Sequence, residues 1–308
     1  MNRIEMNIHI RSLVEFEKII PQDWEHSISC TRSRMCVQQL LDTQDSEEHL
    51  ERHLTEYIQL SNRMFDYMTT KQTTPLIIQP TFVWSIDEKE IQSTCWRLEK
   101  IMPTIALTRI LTHKGLNRVE QESYKEAAKI FDEATKCHNS IKNELKCWKW
   151  KPRVLNHDEL QLDWHVSRSH FLLGMRDMCT LCVGLNKRVA SSVLFTLTER
   201  IIQNFALSIA EWYDSEAGRY LATVECLRHK FNSDVLWSEE KYGQSIHTLQ
   251  NWCGVKTLEI EPFCEIKSEL DKIDFLLQER INTNNGAYFE TVEASEPLKL
   301  PVDFLKSY

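Results

Sequence analysis

Two cysteines and two histidines stand at spacings that could hold a metal ion. Cys179 and Cys182 form a C-x-x-C pair, and His49 and His53 are one helical turn apart. A structural zinc site needs about four ligands, and no second pair of ligands follows the cysteines at zinc-finger spacing. A zincin helix needs Glu directly after its first His, where this chain has Leu50. We therefore expect packed thiols and a solvated helix face, and no metal site.

A second group, His157–Asp158 with His165 and His170, contains the residue types of acid–base catalysis. The chain has no G-x-S-x-G nucleophile elbow and no glycine to shape an oxyanion turn. We predict no catalytic residues and no cofactor. A metal-dependent enzyme that uses Cys179, Cys182 and histidines is the less favoured alternative.

Glycine and proline are scarce, which predicts a mainly helical chain. The 308 residues include 7 glycines and 8 prolines, and the turns of a sheet protein are built from such residues. No glycines form a GxGxxG or P-loop pattern, which argues against a nucleotide site. With 37 Lys and Arg against 45 Asp and Glu, the net charge is −8, which does not suit binding to nucleic acid. We expect neither a nucleic acid partner nor a small-molecule substrate.

The N-terminal residues lack the apolar core of a signal peptide, because Arg3, Glu5 and Arg11 interrupt them. The chain has no apolar run of about 18 residues and no C-terminal prenylation box. The ten cysteines are therefore expected to be reduced and mostly buried. Together these features predict a cytoplasmic protein that contacts membranes only through a partner.

Apolar residues at helical spacing predict about eight or nine antiparallel helices joined by short links. They comprise a pair within residues 24–70 and the segments 88–112, 119–146, 158–184, 187–213, 217–236, 238–253 and 262–283. A short strand is expected at Met6–Ile10, and an extended stretch is expected around Pro75 and Pro80. A loop that contains Trp148–Lys151 is expected between the helices 119–146 and 158–184. Residues 284–308 are expected to form an extended strap.

The segment 187–213 is the most informative helix. It carries two apolar stripes, Val193–Leu197–Ile201 and Leu194–Ile202–Phe205. One stripe can enter the core. The other is either covered by a neighbouring helix or lines a groove for the amphipathic helix of a partner. The preceding helix adds Leu181 and Leu185 to this apolar surface.

Four segments follow one another in an order known from a single family. They are Phe82-x-Trp84, Glu122–Ala134 with its paired alanines, the ungapped stretch His170–Phe205, and Asn284–Val292. On these segments the chain resembles the BRO-one domain family over nearly its whole length, closest to the BROX-like branch. The resemblance implies a boomerang-shaped, mainly all-α domain with a tetratricopeptide-like core and a small N-terminal β element. It also implies one domain over residues 1–308, with N-terminal elements at 1–85, a helical core at 86–283 and the strap at 284–308.

The resemblance further implies a hydrophobic groove that binds the C-terminal amphipathic helix of an ESCRT-III subunit. The groove positions of the family fall on Thr180, Val193 and Leu197. Val193 and Leu197 keep the apolar character, but the family usually has a large apolar residue where this chain has Thr180. Either Leu181 substitutes for it or the groove is weaker, and Ile201 extends the stripe.

The favoured function is therefore a non-enzymatic adaptor for an ESCRT-III subunit in endosomal sorting or membrane remodelling. Such a protein would be recruited to endosomal or nuclear-envelope membranes through that partner. The alternative is a degenerate BRO-one scaffold that binds a different helical partner.

Overall fold

The computed structural model describes residues 8–12, 14–16, 26–43, 46–70, 81–147, 157–212, 215–250 and 263–292. The chain falls into two compact units, each built from two stretches of sequence. The first unit comprises Met1–Lys114 and Glu133–Ser169, and the second comprises Gly115–Asp132 and His170–Tyr308. That residues 1–308 form a single domain stays a prediction. The residues Pro75, Pro80 and Trp148–Lys151 lie outside the described residues.

Helices make up most of the described chain, as the scarcity of glycine and proline predicts. The α-helices are α1 Ser27–Thr43, α2 Glu47–Thr70, α3 Trp96–Glu120, α4 Tyr124–Cys147, α5 Leu162–Asn186, α6 Ser191–Glu211, α7 Ser215–Ser238, α8 Tyr242–Gln250, α9 Cys264–Asp271 and α10 Ile273–Thr283. A 3-10 turn at Asp158–Leu160 precedes α5. The segment predicted as one helix over 262–283 is divided at Lys272 into α9 and α10.

A small antiparallel sheet lies in the first unit. Its strands are β1 Ile8–Ile10, β2 Phe82–Ile86 and β3 Lys89–Ser93, in the order β1-β2-β3. The predicted strand near Ile10 is confirmed, but the helix predicted from residue 88 is wrong, because β3 occupies that position and α3 begins at Trp96. Asp87 and Glu88 both have positive φ, 47° and 66°, as a two-residue hairpin turn of type I′ requires. Asp-Glu is an unusual pair for such a turn, so the hairpin has no strong local signal.

The core of the first unit contains a buried ion pair surrounded by further donors. Arg34 Nε lies 2.6 Å from Glu99 Oε1, and their side chains are 2% and 0% exposed. The Tyr57 hydroxyl also donates to Glu99 Oε1, and Trp84 Nε1 donates to Glu99 Oε2 at 2.9 Å. This network joins α1, α2, α3 and the central strand. It explains the Phe82-x-Trp84 segment: both aromatic rings are fully buried, and the indole N–H satisfies the Glu99 carboxylate.

In the second unit, the part of α5 from His170 onwards packs closely with α6 as a helical hairpin. At Gly174 an added Cβ would lie 2.5 Å from the Phe205 ring, and at Gly184 it would lie 2.9 Å from Leu194. Both glycines therefore allow the close approach of the two helices. The short link predicted between the segments 158–184 and 187–213 is a turn: α5 ends at Asn186, Arg188 has a φ of 54°, and α6 begins at Ser191. Helix α6 then packs along α7.

The C-terminal segment docks on the N-terminus of α8. The prediction of an extended strap is wrong for its first residues, because Asn284–Tyr288 form a turn of π-helix. The Asn284 side chain then bonds the backbone N–H and C=O of Glu290 at 3.1 and 2.8 Å. The Glu290 carboxylate accepts the Gly243 N–H at 2.7 Å, which satisfies one of the free donors at a helix N-terminus. Residues 293–308 lie outside the described residues.

Candidate partner-binding surface

The residues predicted to bind a partner helix divide into exposed and buried ones. Thr180 is exposed on α5. On α6, Val193 is 55% exposed and Leu197 is partly exposed. Leu181 and Ile201 are both 0% exposed. A partner can therefore reach Thr180, Val193 and Leu197 directly, whereas Leu181 and Ile201 lie beneath them in the core.

Helix geometry explains why Ile201 is buried. At 100° per residue, Ile201 lies about 80° around α6 from Val193, whereas Leu194 and Phe205 lie at about 100° and 120°. Ile201 therefore belongs to the buried stripe with Leu194 and Phe205, and its assignment to the stripe of Val193 and Leu197 is wrong. The exposed apolar stripe of α6 is therefore reduced to Val193 and Leu197.

Two contacts between α5 and α6 locate Thr180 relative to this stripe. Gly184 of α5 faces Leu194, and Asp177 binds Arg200. Because the two helices are antiparallel, Thr180 lies between these contacts and opposite the part of α6 that carries Leu197. The Thr180 hydroxyl donates to the Arg176 carbonyl at 3.0 Å. Its hydrogen bond is thus already made, and covering this side chain with a partner leaves no donor unsatisfied.

Beside the apolar residues lies a charged cluster that the sequence did not predict. The Asp177 side chain is 1% exposed, and its two oxygens accept Nε and Nη2 of Arg200 at 2.6 and 2.9 Å. Arg176 Nε donates to the same carboxylate at 3.0 Å, and Asn204 lies 3.4 Å from it. An aspartate in the middle of an otherwise apolar helical face was the available signal, because a buried carboxylate requires a cationic partner.

A shallow pocket of about 340 Å³ lies near the same end of α5. Val183, one turn after Thr180, belongs to its lining together with Glu122, Ser123, Tyr124, Lys125, Glu126, Asn186 and Lys187. Burial and the hydrogen bond to Glu265 raise the pKa of the Tyr124 hydroxyl. Asn186 Nδ2 donates to the other oxygen of Glu265 at 2.9 Å. Two of the lining residues, Tyr124 and Asn186, are therefore held in place by Glu265.

The residues whose spacing suits metal binding or catalysis are not part of this exposed surface. Cys179 and Cys182 are buried in α5, and burial raises the pKa of both thiols, that of Cys179 to about 12. His49 is exposed on α2, and His53 Nδ1 lies 3.8 Å from Glu56. Within the described ranges, no three His, Cys, Asp or Glu side chains are grouped to hold a metal ion.

His165 forms a buried pair with His138 rather than part of a catalytic group. The two Nδ1 atoms are 2.8 Å apart, and His165 Nε2 donates to the Glu159 carbonyl at 2.8 Å. With both rings neutral, His165 Nδ1 accepts from His138 Nδ1–H. Burial lowers the pKa of His165 to about 4, and burial with the nearby His165 lowers that of His138 well below its usual value. His157 Nε2 lies 3.5 Å from Asp87, and His170 Nδ1 finds no acceptor or donor in the described part of the chain.

None of the described helices is long and apolar enough to cross a membrane. No protein-family model and no curated protein matches the sequence.

Solved structures do match. The structure of the ALIX BRO1 domain in complex with CHMP4C has a TM-score of 0.72 and 14% identity, covering 95% of this chain and 91% of that one. ALIX in complex with the SIVmac239 PYKEVTEDL late domain has a TM-score of 0.75 and 14% identity, covering 94% of this chain and 46% of that one. A Bro1 domain described as a basis for endosomal targeting has a TM-score of 0.73 and 12% identity, covering 94% and 86%. The chain, mainly helical with a small N-terminal sheet, has the fold of the BRO-one domain.

Proposed function

We propose that this protein is a non-enzymatic adaptor that binds the C-terminal amphipathic helix of an ESCRT-III subunit on the surface of α5 and α6. One observation carries the proposal: Val193 is 55% exposed on the face of α6 that also holds Leu197, next to Thr180. A single exposed apolar residue needs no explanation, but two apolar residues one turn apart on the open face of a helical hairpin fit the apolar face of a partner's amphipathic helix. A neighbour of the same fold is known in complex with CHMP4C, an ESCRT-III subunit.

The buried residues Leu181 and Ile201 support this surface from below. Their role is to fix the positions of α5 and α6, because well-packed core residues hold a binding surface rigid. The exposed anchors then set the affinity. Burying a Val or Leu side chain contributes about 1.5–3 kcal/mol before ordering costs, so a few anchors suit a micromolar, reversible interaction. Recruitment to endosomal or nuclear-envelope membranes would follow through the partner.

Val193→Asp is the sharpest test. Val193 is the third residue of α6 after the N-cap Ala190, where a carboxylate interacts favourably with the helix dipole. The substitution should therefore leave the fold intact while placing a charge at the centre of the proposed contact. We expect at least a tenfold loss of binding to a labelled peptide of the CHMP4C C-terminal helix, and a similar loss for Leu197→Asp.

Ile28→Asp is the matched control, because Ile28 is also exposed, at 51%, but lies on α1 in the first unit. It should bind the peptide as wild type does, and circular dichroism should show equal helix content for all variants. No binding by the wild type, or binding by Val193→Asp and Leu197→Asp at wild-type strength, would contradict the proposal.

A second candidate is a BRO-one scaffold for a different helical partner. It is favoured by Thr180, which puts a small polar residue on α5 where the family usually has a large apolar one. Thr180→Phe separates the two candidates: stronger CHMP4C binding by this variant supports a weakened ESCRT-III groove. If the wild type ignores all ESCRT-III helices and captures another helical protein through Val193, the second candidate is correct.

A further inference from the structure

Resting on the proposed function, we infer that Arg200 selects partner helices that carry an acidic residue about one turn from the apolar anchor that meets Leu197. Two residues beside the apolar groove would provide this selectivity. They are Arg200 on α6 and the buried Asp177 that holds it.

Arg200 lies on the same face of α6 as the apolar anchors. At 100° per residue, Val193, Leu197 and Arg200 fall within about 60° of the helix circumference. Arg200 is one turn beyond Leu197, or about 4.5 Å along the axis. A helix that covers Val193 and Leu197 therefore passes directly over or beside the Arg200 guanidinium.

The guanidinium is held in place and is still open to a ligand. Nε and Nη2 bind the two oxygens of Asp177 at 2.6 and 2.9 Å, yet 54% of the Arg200 side chain is exposed. The described part of the chain offers no acceptor for Nη1. Because the side chain is already ordered, a carboxylate that binds Nη1 costs little conformational entropy.

The charge balance favours a carboxylate as that ligand. Both Asp177 oxygens are occupied, and two guanidinium groups, those of Arg176 and Arg200, share this one buried carboxylate. The trio therefore carries one excess positive charge. Asp132 lies 3.5 Å from Arg176, whereas the exposed guanidinium of Arg200 is balanced by a carboxylate that it shares with Arg176. Complementary charge at an interface fixes register and partner choice.

The test is a scan that removes the acidic charges of the partner peptide one at a time and compares binding to the wild type and to Arg200→Gln. In a labelled peptide of the CHMP4C C-terminal helix, each Asp or Glu is replaced in turn by Asn or Gln, and affinity is measured by fluorescence anisotropy. We expect one position at which the change weakens binding to the wild type about fivefold, which corresponds to about 1 kcal/mol. The same change should have no effect on binding to Arg200→Gln.

Arg200→Gln should remain folded, because Asp177 keeps its contacts with Arg176 and Asn204; its melting temperature is the check. If it does not fold, the scan against the wild type decides alone. Arg52→Gln, an exposed arginine on α2 of the first unit, is the control and should respond to the scan as wild type does. A peptide that binds with a flat scan, or loses equal affinity for wild type and Arg200→Gln, overturns the inference and leaves the proposed function standing. A peptide that does not bind the wild type overturns both.

Discussion

Replacing Glu99 by Gln is the perturbation whose effect on stability follows most directly from the structure. The Glu99 carboxylate is fully buried and accepts from Arg34, Tyr57 and Trp84. Gln has nearly the same volume, so the variant creates no cavity. It removes the negative charge that balances the Arg34 guanidinium, whose side chain is 2% exposed. It also places an amide NH2 among donors, because all three neighbours donate to this position.

The expected loss is about 3–5 kcal/mol, the usual cost of leaving one member of a buried ion pair without its partner. Arg34 keeps two contacts with Ser12, from Nη1 to the carbonyl at 2.5 Å and from Nη2 to the hydroxyl at 3.4 Å, but these neutral acceptors do not balance the charge. Since whole domains are stable by only about 5–15 kcal/mol, the variant should be close to unfolding in the first unit.

The assay is urea denaturation followed by tryptophan fluorescence, because Trp84 is part of the network. The double variant Arg34→Met with Glu99→Leu removes both charges and should cost clearly less than the sum of the single variants. A loss below about 1 kcal/mol for Glu99→Gln, or a double variant whose cost equals that sum, would refute the reasoning.

Three further predictions concern other parts of the chain. Gly174→Ala should cost about 1–3 kcal/mol in urea denaturation, because its Cβ would lie 2.5 Å from the Phe205 ring; an unchanged midpoint would show that α5 and α6 are looser than described. The His138–His165 pair should make stability fall as the pH drops from about 6.5 towards 4, because the unfolded chain binds protons there before the folded one does. This fall should be smaller in a variant with Gln at both positions, and equal curves would contradict the prediction. Glu290→Ala should speed amide hydrogen exchange at Gly243, whose N–H it now accepts; unchanged exchange would argue against docking of the C-terminal segment on α8.

Elements with a strong local signal were predicted closely. The amphipathic stripe of residues 119–146 predicted α4, and the helix pair predicted within residues 24–70 is α1 and α2, where Ser46 Oγ accepts the His49 N–H at 3.4 Å. The β2–β3 hairpin was missed because Asp87-Glu88 is not a typical turn pair and because β3 buries only Ile91. The sequence of a mostly exposed strand with charged residues has no clear alternation of apolar and polar positions, so it is easily taken for the start of a solvated helix.

For the candidate site, the sequence by itself determined the two helices and the two apolar stripes on the second of them, because helical periodicity is a local property of the chain, and the family resemblance selected Val193 and Leu197. Only the tertiary structure decided that Leu181 and Ile201 are buried and that Asp177 binds Arg200, 23 residues away in sequence. Which side of an apolar helix is covered depends on the neighbour that packs against it, and a buried charge finds its partner only when two helices meet. The physical reason is the same in both cases: burial and ion pairing are set by contacts across the fold, which spacing along one helix does not contain.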